Sequence, residues 1–592
     1  MRVLVLLATM ALLAASRARD LGDLSLEQLS NVTVSSVSGR SEPLSHALGS
    51  VYVISADDIR RSGATSLPEA LRLAPNLQVA RTGNDGWAIT ARGFNGPFAN
   101  KLLVLQDGRT LYTPTFAGVF WDAQDLPLEN IDRIEVISGP GGVLWGANAV
   151  NGVINIVTKS SDDTRDLLVT GGIGDEESRV VAQFGGDVSH GTYRAYAMTT
   201  SLDDSPHDRL QGGFRTELGT PRDRITLQGD LYESGDLHGG NVNLLWTRNI
   251  ADRDTLRVQA YYDATSRSQQ HLDTVDLTVD HVLGARGPHG ILWGAELRRA
   301  RDNIDNDPAT FSFLPETKVL NSWAAYLQDE VAFGKAFVGT FGARVDSNEY
   351  TGAEFLPSIR FGWHPDGEHL VWAAASRAIR APARFDRELF LPGAPPFLLA
   401  GGPEFQSEVF YVYELGYRGQ PSEALSFAVT GYYDDLDRQR SIAPGAAGAT
   451  VENDLEGHQW GVEAWGSYRV LESWRLYAGY DYLDRTLRVR PGAVDLQPGS
   501  SIGSDPKQWA KVRSALDIGK RLELDLMLRY YDRLENIDVP SYVAVDGRLG
   551  WNVLRRLELS VYVRNIFDDA HVEWSPGEEL GRSYFVKALI RF

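Results

Sequence analysis

The sequence predicts a mostly β protein: a large antiparallel transmembrane β-barrel of about 22 strands, with an N-terminal α+β domain lodged as a plug in its lumen. Three observations predict it. From about residue 163 onward, segment after segment alternates apolar and polar side chains, the period expected of strands with one face in lipid and the other in water or protein. Beyond the N-terminus no apolar run reaches the length of a transmembrane helix, so a membrane location requires a closed barrel, in which every backbone group is satisfied. Finally, the short and the long connections between these segments fall at opposite parity along the chain, as in barrels with tight turns at one end and long loops at the other.

Composition is consistent with this. The 592 residues carry 58 Lys+Arg against 78 Asp+Glu, a net charge of -20, which excludes the basic face that a nucleic-acid binder needs. Cysteine is absent, which removes disulfides, thiolate metal sites and Cys nucleophiles. The 58 Gly, 23 Tyr and 14 Trp suit a β-rich protein with interfacial aromatic girdles.

Taken in order, residues 1–18 read as a secretory signal. Arg2 supplies the positive charge, Val3 to Leu13 the apolar stretch, and Ala14 to Ala18 a small-residue region cut after Ala15 or Ala18. Residues 19–45 form an N-terminal segment with a short helix at Leu24 to Leu29. Residues 46–162 read as a compact α+β domain. Ser55 or Asp57 caps a first short helix, and Ser66-Leu67-Pro68-Glu69 opens a second, with proline where its missing N–H costs nothing. Lys101 to Leu105, Ile131 to Ile137 and Gly152 to Thr158 are its buried strands.

A seam at Asp162 to Asp166 begins the barrel, residues 163–592. Leu522 to Tyr530 alternates Leu522, Leu524, Leu526, Leu528 and Tyr530 with Glu523, Asp525 and Arg529. Leu557 to Val563, Ile225 to Leu231 and Leu256 to Tyr262 follow the same rule. With a first strand at about Asp166 to Gly172, the even connections are short, as at Gly334 to Ala336, Pro365 to Gly367, Leu471 to Ser473 and Gly519 to Arg521. The odd ones include Asn303 to Lys318, Ala381 to Glu404, Arg488 to Asp505 and Asp569 to Gly581. The chain closes on Tyr584 to Phe592, with Tyr584, Val586, Ala588, Ile590 and Phe592 on one face.

Several runs carry a family resemblance: SVYVISADDIRRSGATSLPEALRLAPNLQVAR (Ser50 to Arg81), ITARGF (Ile89 to Phe94), NKLLVLQDGR (Asn100 to Arg109) and LPLENIDRIEVISGPGGVLWGANAVNGVINIVTK (Leu126 to Lys159). RAIRAPARFDREL (Arg377 to Leu389) and VRNIFDDAHVE (Val563 to Glu573) extend it into the barrel. Together they resemble the TonB-dependent outer-membrane receptors of the siderophore and cobalamin type. The resemblance implies a monomeric receptor in the outer membrane of a Gram-negative bacterium, in contact with lipopolysaccharide. It also implies energised uptake through the TonB-ExbB-ExbD complex, and a terminal strand, with Tyr584 and Phe592, read by the barrel assembly machinery. Val32, Thr33, Val34, Ser35 and Ser36 resemble the TonB box, a segment that adds to a partner's sheet edge. One residue departs from the pattern: Ser138 stands where the family often has a basic residue before Gly-Pro. That puts one plug–barrel charge contact in doubt and leaves Arg92, Arg133 and Glu135 as candidates for others.

A ferric siderophore is the expected cargo, with cobalamin, another metal chelate or a glycan as alternatives of the same mechanism. Substrate candidates in the plug are Trp87, Phe98, Tyr112, Phe116 and Phe120, with Trp121 nearby, since aromatics beside a few polar groups suit flat, bulky chelates. In the barrel they are Arg380 and Arg384, within a basic cluster that includes Arg377 and Arg387 and fits an anionic ligand. The competing readings are plug-core packing for the aromatics, and solvated charges or lumen ion pairs for the arginines. Asp302 to Asp307 has carboxylates suited to calcium but reads better as a solvated acidic loop. No metal site, cofactor or catalytic constellation is expected, and no enzyme. A passive porin or adhesin, the other functional class, has no use for the plug.

Overall fold

A computed structural model of the chain describes residues 33–34, 37–40, 42–83, 86–203, 205–251, 254–284, 286–497, 504–567 and 570–592. The signal segment 1–18, the short helix at Leu24 to Leu29, and Val32, Ser35 and Ser36 lie outside the described residues.

The N-terminal domain is built on a five-stranded mixed sheet. Its strands are β1 (Ser50–Ser55), β4 (Leu102–Gln106), β5 (Arg109–Thr110), β6 (Ile131–Ser138) and β7 (Gly152–Thr158), in spatial order β1-β6-β7-β4-β5, while β2 (Gln78–Gly83) and β3 (Gly86–Thr90) form a separate hairpin. The apolar runs of β4, β6 and β7 are buried on both faces, as the sequence requires of a central sheet. Helix α1 (Ala56–Ser62) starts at Ser55, whose hydroxyl accepts from the Asp58 amide at 3.1 Å while the Asp58 carboxylate accepts from the Ser55 amide at 3.0 Å. This capping box satisfies two donors that the helix start would otherwise orphan. Asp57 is not the cap; it lies in the first turn and pairs with Arg60. Ser66 caps α2 (Leu67–Leu71), with Pro68 in the first turn. Ile54, Leu67, Leu71, Leu77, Ile134 and Ile154 are among the core residues between sheet and helices.

The remainder of the chain is a closed antiparallel barrel of 22 strands. Each strand pairs with its chain neighbours, and Leu168–Gly174 closes the ring against Ser583–Arg591. The alternation places the apolar face outward, where Trp323 and Leu327 are exposed, and Tyr326 and Gln328 of the same strand inward. Two- to six-residue turns join the strands at one end, including Gly334–Ala336 and Gly519–Arg521. The long connections after Ile304, Arg380, Val489 and Arg564 all lie at the other end. Some connections at that end are nevertheless tight, among them Gly235–Asp236 and Ala446–Ala447. The latter joins Leu425–Gly445 to Gly448–Leu471, strands much longer than the roughly 9–11 residues needed to cross a bilayer.

The domain lies inside the barrel and meets a polar wall. The Lys511 ammonium donates to the carbonyls of Arg72, Ala74 and Leu77. Arg418 donates to those of Leu44, Ala47 and Gly49, and Arg61 pairs with Asp525 at 2.8 Å. No strand of the plug pairs with a strand of the barrel among the described residues.

Candidate functional site

Between the plug and one side of the wall runs a cavity of about 420 Å³. Its outer end, toward the long loops, is lined by Phe120, Tyr350 and Pro382; its inner end, toward the short turns, by Gly39, Arg257 and Asp280. The plug contributes Leu103, Leu105 and Tyr112, and the wall contributes Tyr261, Asp276, Glu296, Arg298 and Arg344. The wall charges neutralise one another: Arg298 pairs with Asp276 at 2.9 Å and Glu296 at 2.8 Å, and Arg344 pairs with Glu296 at 2.9 Å. Arg109 of the plug pairs with Asp263 across the gap. Tyr112, half-buried, has its phenol pushed up to about 12 by burial, so it faces the space as a neutral hydrogen-bonding group.

At the outer end the structure brings together three of the predicted aromatics. Phe98 meets Phe116 at 5.1 Å between ring centres, and Phe116 meets Phe120 at 4.9 Å, both edge to face, a geometry that favours aromatic pairs. Phe385, from the long loop after Arg380, joins Phe98 at 5.2 Å, and Phe313 from the neighbouring loop joins Phe385 at 5.8 Å. Phe98 is 53% exposed and Phe116 only 2%, so Phe98 is the face of this ledge and Phe116 its support. The Arg267 guanidinium lies 3.9 Å over the Phe120 ring and is held by Asp122. Trp87 does not join the ledge: it packs against the plug core with Arg72 over its ring at 5.3 Å. Trp121 is buried in that core as well.

Arg380 and Arg384 correct the expectation of a substrate-facing basic cluster. Both are fully buried. Arg380 pairs with Asp386 and Glu408; Arg384 pairs with Glu388 at 2.7 Å and with Asp302 at 3.1 Å. They fold the loop inward, so that the Arg384 and Phe385 amides donate to the carbonyls of Pro114 and Thr115 on the plug, at 3.2 and 2.8 Å. A guanidinium holding two carboxylates has no spare charge for a ligand. Arg377 pairs with Glu354, and Arg387 donates to the carbonyls of Phe405 in its own loop and of Tyr350 in a neighbouring turn. Asp302 is therefore a buried partner of Arg384 rather than a solvated loop residue, and no group of three or more metal-ligating side chains exists among the described residues.

Arg92 crosses from plug to wall. It is buried, pairs with Glu414 at 2.9 Å and Glu463 at 3.0 Å, and sits 4.2 Å over the Tyr432 ring. A Cβ on Gly139, at positive φ, would come within 2.4 Å of the Arg92 guanidinium and 2.6 Å of the Glu414 carboxylate, so glycine is what lets this pair close. At the departure point, Ser138 accepts from Asn76 at 2.7 Å, while Ser50 donates to Glu463 at 2.6 Å. Arg133 pairs within the plug, with Asp132 and Glu135, and these pairs do not tie it to the wall.

Near the inner end, Thr33–Val34 forms an antiparallel bridge with Glu42–Pro43. Val34 is fully buried against Val37, Ala47, Val51 and Leu105. At the barrel seam Tyr584 points outward, 51% exposed, and the Phe592 amide donates to the Leu167 carbonyl at 2.9 Å. Glu414, Glu463, Phe385 and Tyr261 were not singled out from the sequence. Strand parity marks the glutamates and Tyr261 as lumen-facing but does not give their partners.

Comparison with known proteins returns two family models that together span most of the chain. The TonB-dependent Receptor Plug Domain matches residues 43–153, and the TonB dependent receptor-like beta-barrel matches residues 155–566. The iron-regulated outer membrane virulence protein of Vibrio cholerae serotype O1 is 24% identical over 643 residues, covering 94% of this chain and 95% of the relative. The vitamin B12 transporter BtuB of Vibrio vulnificus is 28% identical over 464 residues, covering 69% and 71%. Among solved structures, the FrpB iron transporter of Neisseria meningitidis superposes with a TM-score of 0.78 at 14% identity, covering 92% of this chain and all of the other. The siderophore receptor PirA of Acinetobacter baumannii superposes at 0.76 and 16% identity, covering 92% and 98%.

Proposed function

Because the chain belongs to the TonB-dependent receptors of the Gram-negative outer membrane, we propose that it imports a ferric siderophore, with energy delivered through TonB, ExbB and ExbD. The observation that carries this reading is the ledge at the mouth of the cavity. Exposed Phe98, backed edge-on by Phe116 and Phe385 and adjoined by Phe120 under the Asp122-paired Arg267, offers an aromatic ring with polar groups beside it, suited to a bulky chelate. Tyr112 lies deeper in the same space. The iron-regulated relative, similar over nearly its full length, supports iron as the cargo metal.

In this reading the substrate settles on the ledge and presses on the loop whose Arg384 and Phe385 amides hold Pro114 and Thr115. The plug shifts, and the segment Val32 to Ser36, whose Val34 is tucked into the plug, is released to add to a sheet edge of TonB. The cavity beside the plug is the route along which the cargo passes.

Uptake of labelled substrate by iron-starved cells tests this. Ferric siderophores of the catecholate, hydroxamate and carboxylate classes are compared with cobalamin, in wild type, in Val34→Pro and in a strain lacking TonB. Uptake of a ferric siderophore, lost in both mutants while surface binding persists, is expected. Uptake of cobalamin alone would move the cargo to the second reading, which the similarity to BtuB favours. Uptake undiminished in both mutants would overturn energised transport itself.

A further inference from the structure

Two histidine rings meet where the plug touches the barrel wall at the short-turn end. His46 closes the helical turn Leu44–His46 at the start of the plug, and His364 directly follows the barrel strand Gly352–Trp363. Their ring centres lie 5.0 Å apart, with the planes tilted at 59° rather than stacked. His46 is exposed and His364 half-buried, so the pair is open to solvent on the periplasmic side.

The backbone beneath both rings is held. Arg418 donates to the carbonyls of Leu44 and Ala47, at 2.7 and 2.8 Å, and Arg360 donates to that of Leu48 at 2.8 Å. The His364 amide donates to the Ala336 carbonyl at 2.7 Å. The ring nitrogens, by contrast, have no hydrogen-bond or ion-pair partner among the described residues. Other imidazoles of the chain are engaged: His281 meets Asp254 at 2.9 Å, His289 meets Asp329 at 2.7 Å, and His369 meets the Tyr417 hydroxyl at 2.6 Å.

We propose that His46 and His364 together bind a divalent transition-metal ion of the zinc type, which staples the start of the plug to the barrel wall. The neutral imidazole nitrogen is the commonest metal ligand. With Zn–N at about 2.0–2.1 Å, the ion stands ~3.2 Å from the centre of each ligating ring, and a tetrahedral angle sets the two centres ~5.2 Å apart. The observed 5.0 Å matches that separation, so rotation of the side chains is enough to aim a nitrogen of each ring at one ion. Neither ring has the carboxylate or carbonyl partner that tunes a resident metal site, and two positions are left to water, so the ion is exchangeable. One ligand belongs to the plug and the other to the wall, and the ion must leave before the two can part. His46 lies just beyond Glu42–Pro43, the strand bridged to Thr33–Val34, so the staple resists tension arriving from Val32 to Ser36. That consequence for transport rests on the import reading; binding of the ion does not.

Calorimetric titration of the full-length receptor with zinc, in mild detergent at neutral pH, tests the site. Wild type and His289→Ala are expected to bind zinc at least tenfold more tightly than His46→Ala or His364→Ala, with heat-modifiable migration on gels reporting that each barrel is closed. Equal affinity in wild type and both single variants would overturn the site. Hydrogen exchange of residues 44–49 reads the staple: zinc is expected to slow it in wild type and not in His46→Ala. Zinc that binds but leaves exchange unchanged would overturn the staple. In cells, zinc is expected to lower TonB-dependent uptake more in wild type than in His46→Ala, and equal lowering would overturn the link to transport. Failure of the import reading itself would show as uptake independent of TonB, with zinc binding and exchange unaffected.

Discussion

Arg92 shows how much a single buried side chain holds in this molecule. Replacing it with alanine leaves Glu414 and Glu463 buried without their cation, and breaking a buried pair in this way costs about 3–5 kcal/mol. The barrel strands do not depend on it, so the cost falls on the seating of the plug. Arg92→Ala is expected to raise ion conductance in planar bilayers while the barrel stays closed. Adding Glu414→Gln and Glu463→Gln should restore part of the seal; wild-type conductance in the single variant would refute the role. Phe98 and Phe116 make a contrasting pair. Phe98→Ala, at an exposed ring, should weaken substrate binding by more than tenfold at unchanged stability, whereas Phe116→Ala should cost about 3–5 kcal/mol of folding stability first. The aromatic residues could be nominated from sequence because ring chemistry is visible there. For Arg380 and Arg384, lumen pairing is one of the readings left open, but sequence cannot choose it, because Glu408 and Asp302 lie tens of residues away and only the folded loop brings them close.

At the scale of elements, the N-terminal hairpin is the one poised to respond to its surroundings. Burial pushes the Glu42 carboxyl up to about 7, opposed by the Ser38 hydrogen bond and by Arg418 and Arg360, and reinforced by Glu330. A raised acid binds more protons folded than unfolded. Its contribution is therefore complete below about pH 4.5 and is lost as pH rises through about 7. The bridge between Thr33–Val34 and Glu42–Pro43 should loosen across that interval. Hydrogen exchange of residues 37–47, corrected for intrinsic rate, is expected to accelerate from pH 6 to pH 8 in wild type but not in Glu42→Gln; equal pH dependence in both would discard the idea. Helix starts were readable at this scale, since Ser55 and Ser66 cap by local chemistry. Loop lengths were readable only in part. Gly235–Asp236 is a tight turn at the long-loop end, because the strands there continue past the membrane and hide loop residues in regular pairing.

For the whole molecule, the barrel was the most legible part, because lipid outside and a polar plug inside impose opposite demands on alternate residues of every strand. Which lumen charges would meet, and along which side of the plug a cavity would remain, depends on packing between distant strands, and periodicity is silent on that. Since plug and barrel share no strand pairing among the described residues, deleting residues 46–158 is expected to leave a closed, heat-modifiable barrel that conducts ions passively and no longer depends on TonB. Failure of that shortened chain to close would mean that the plug is a template for the wall.

The pairing of Leu168–Gly174 with Ser583–Arg591 also sets an order of events in time. The two edges that must meet are made at opposite ends of barrel synthesis, and the plug is made before either. The ring can therefore shut only after its last strand arrives, with the plug already between the approaching edges or threaded through the opening. Any factor that delays closure gives the plug time to find its seat, and one that hastens it favours an empty pore.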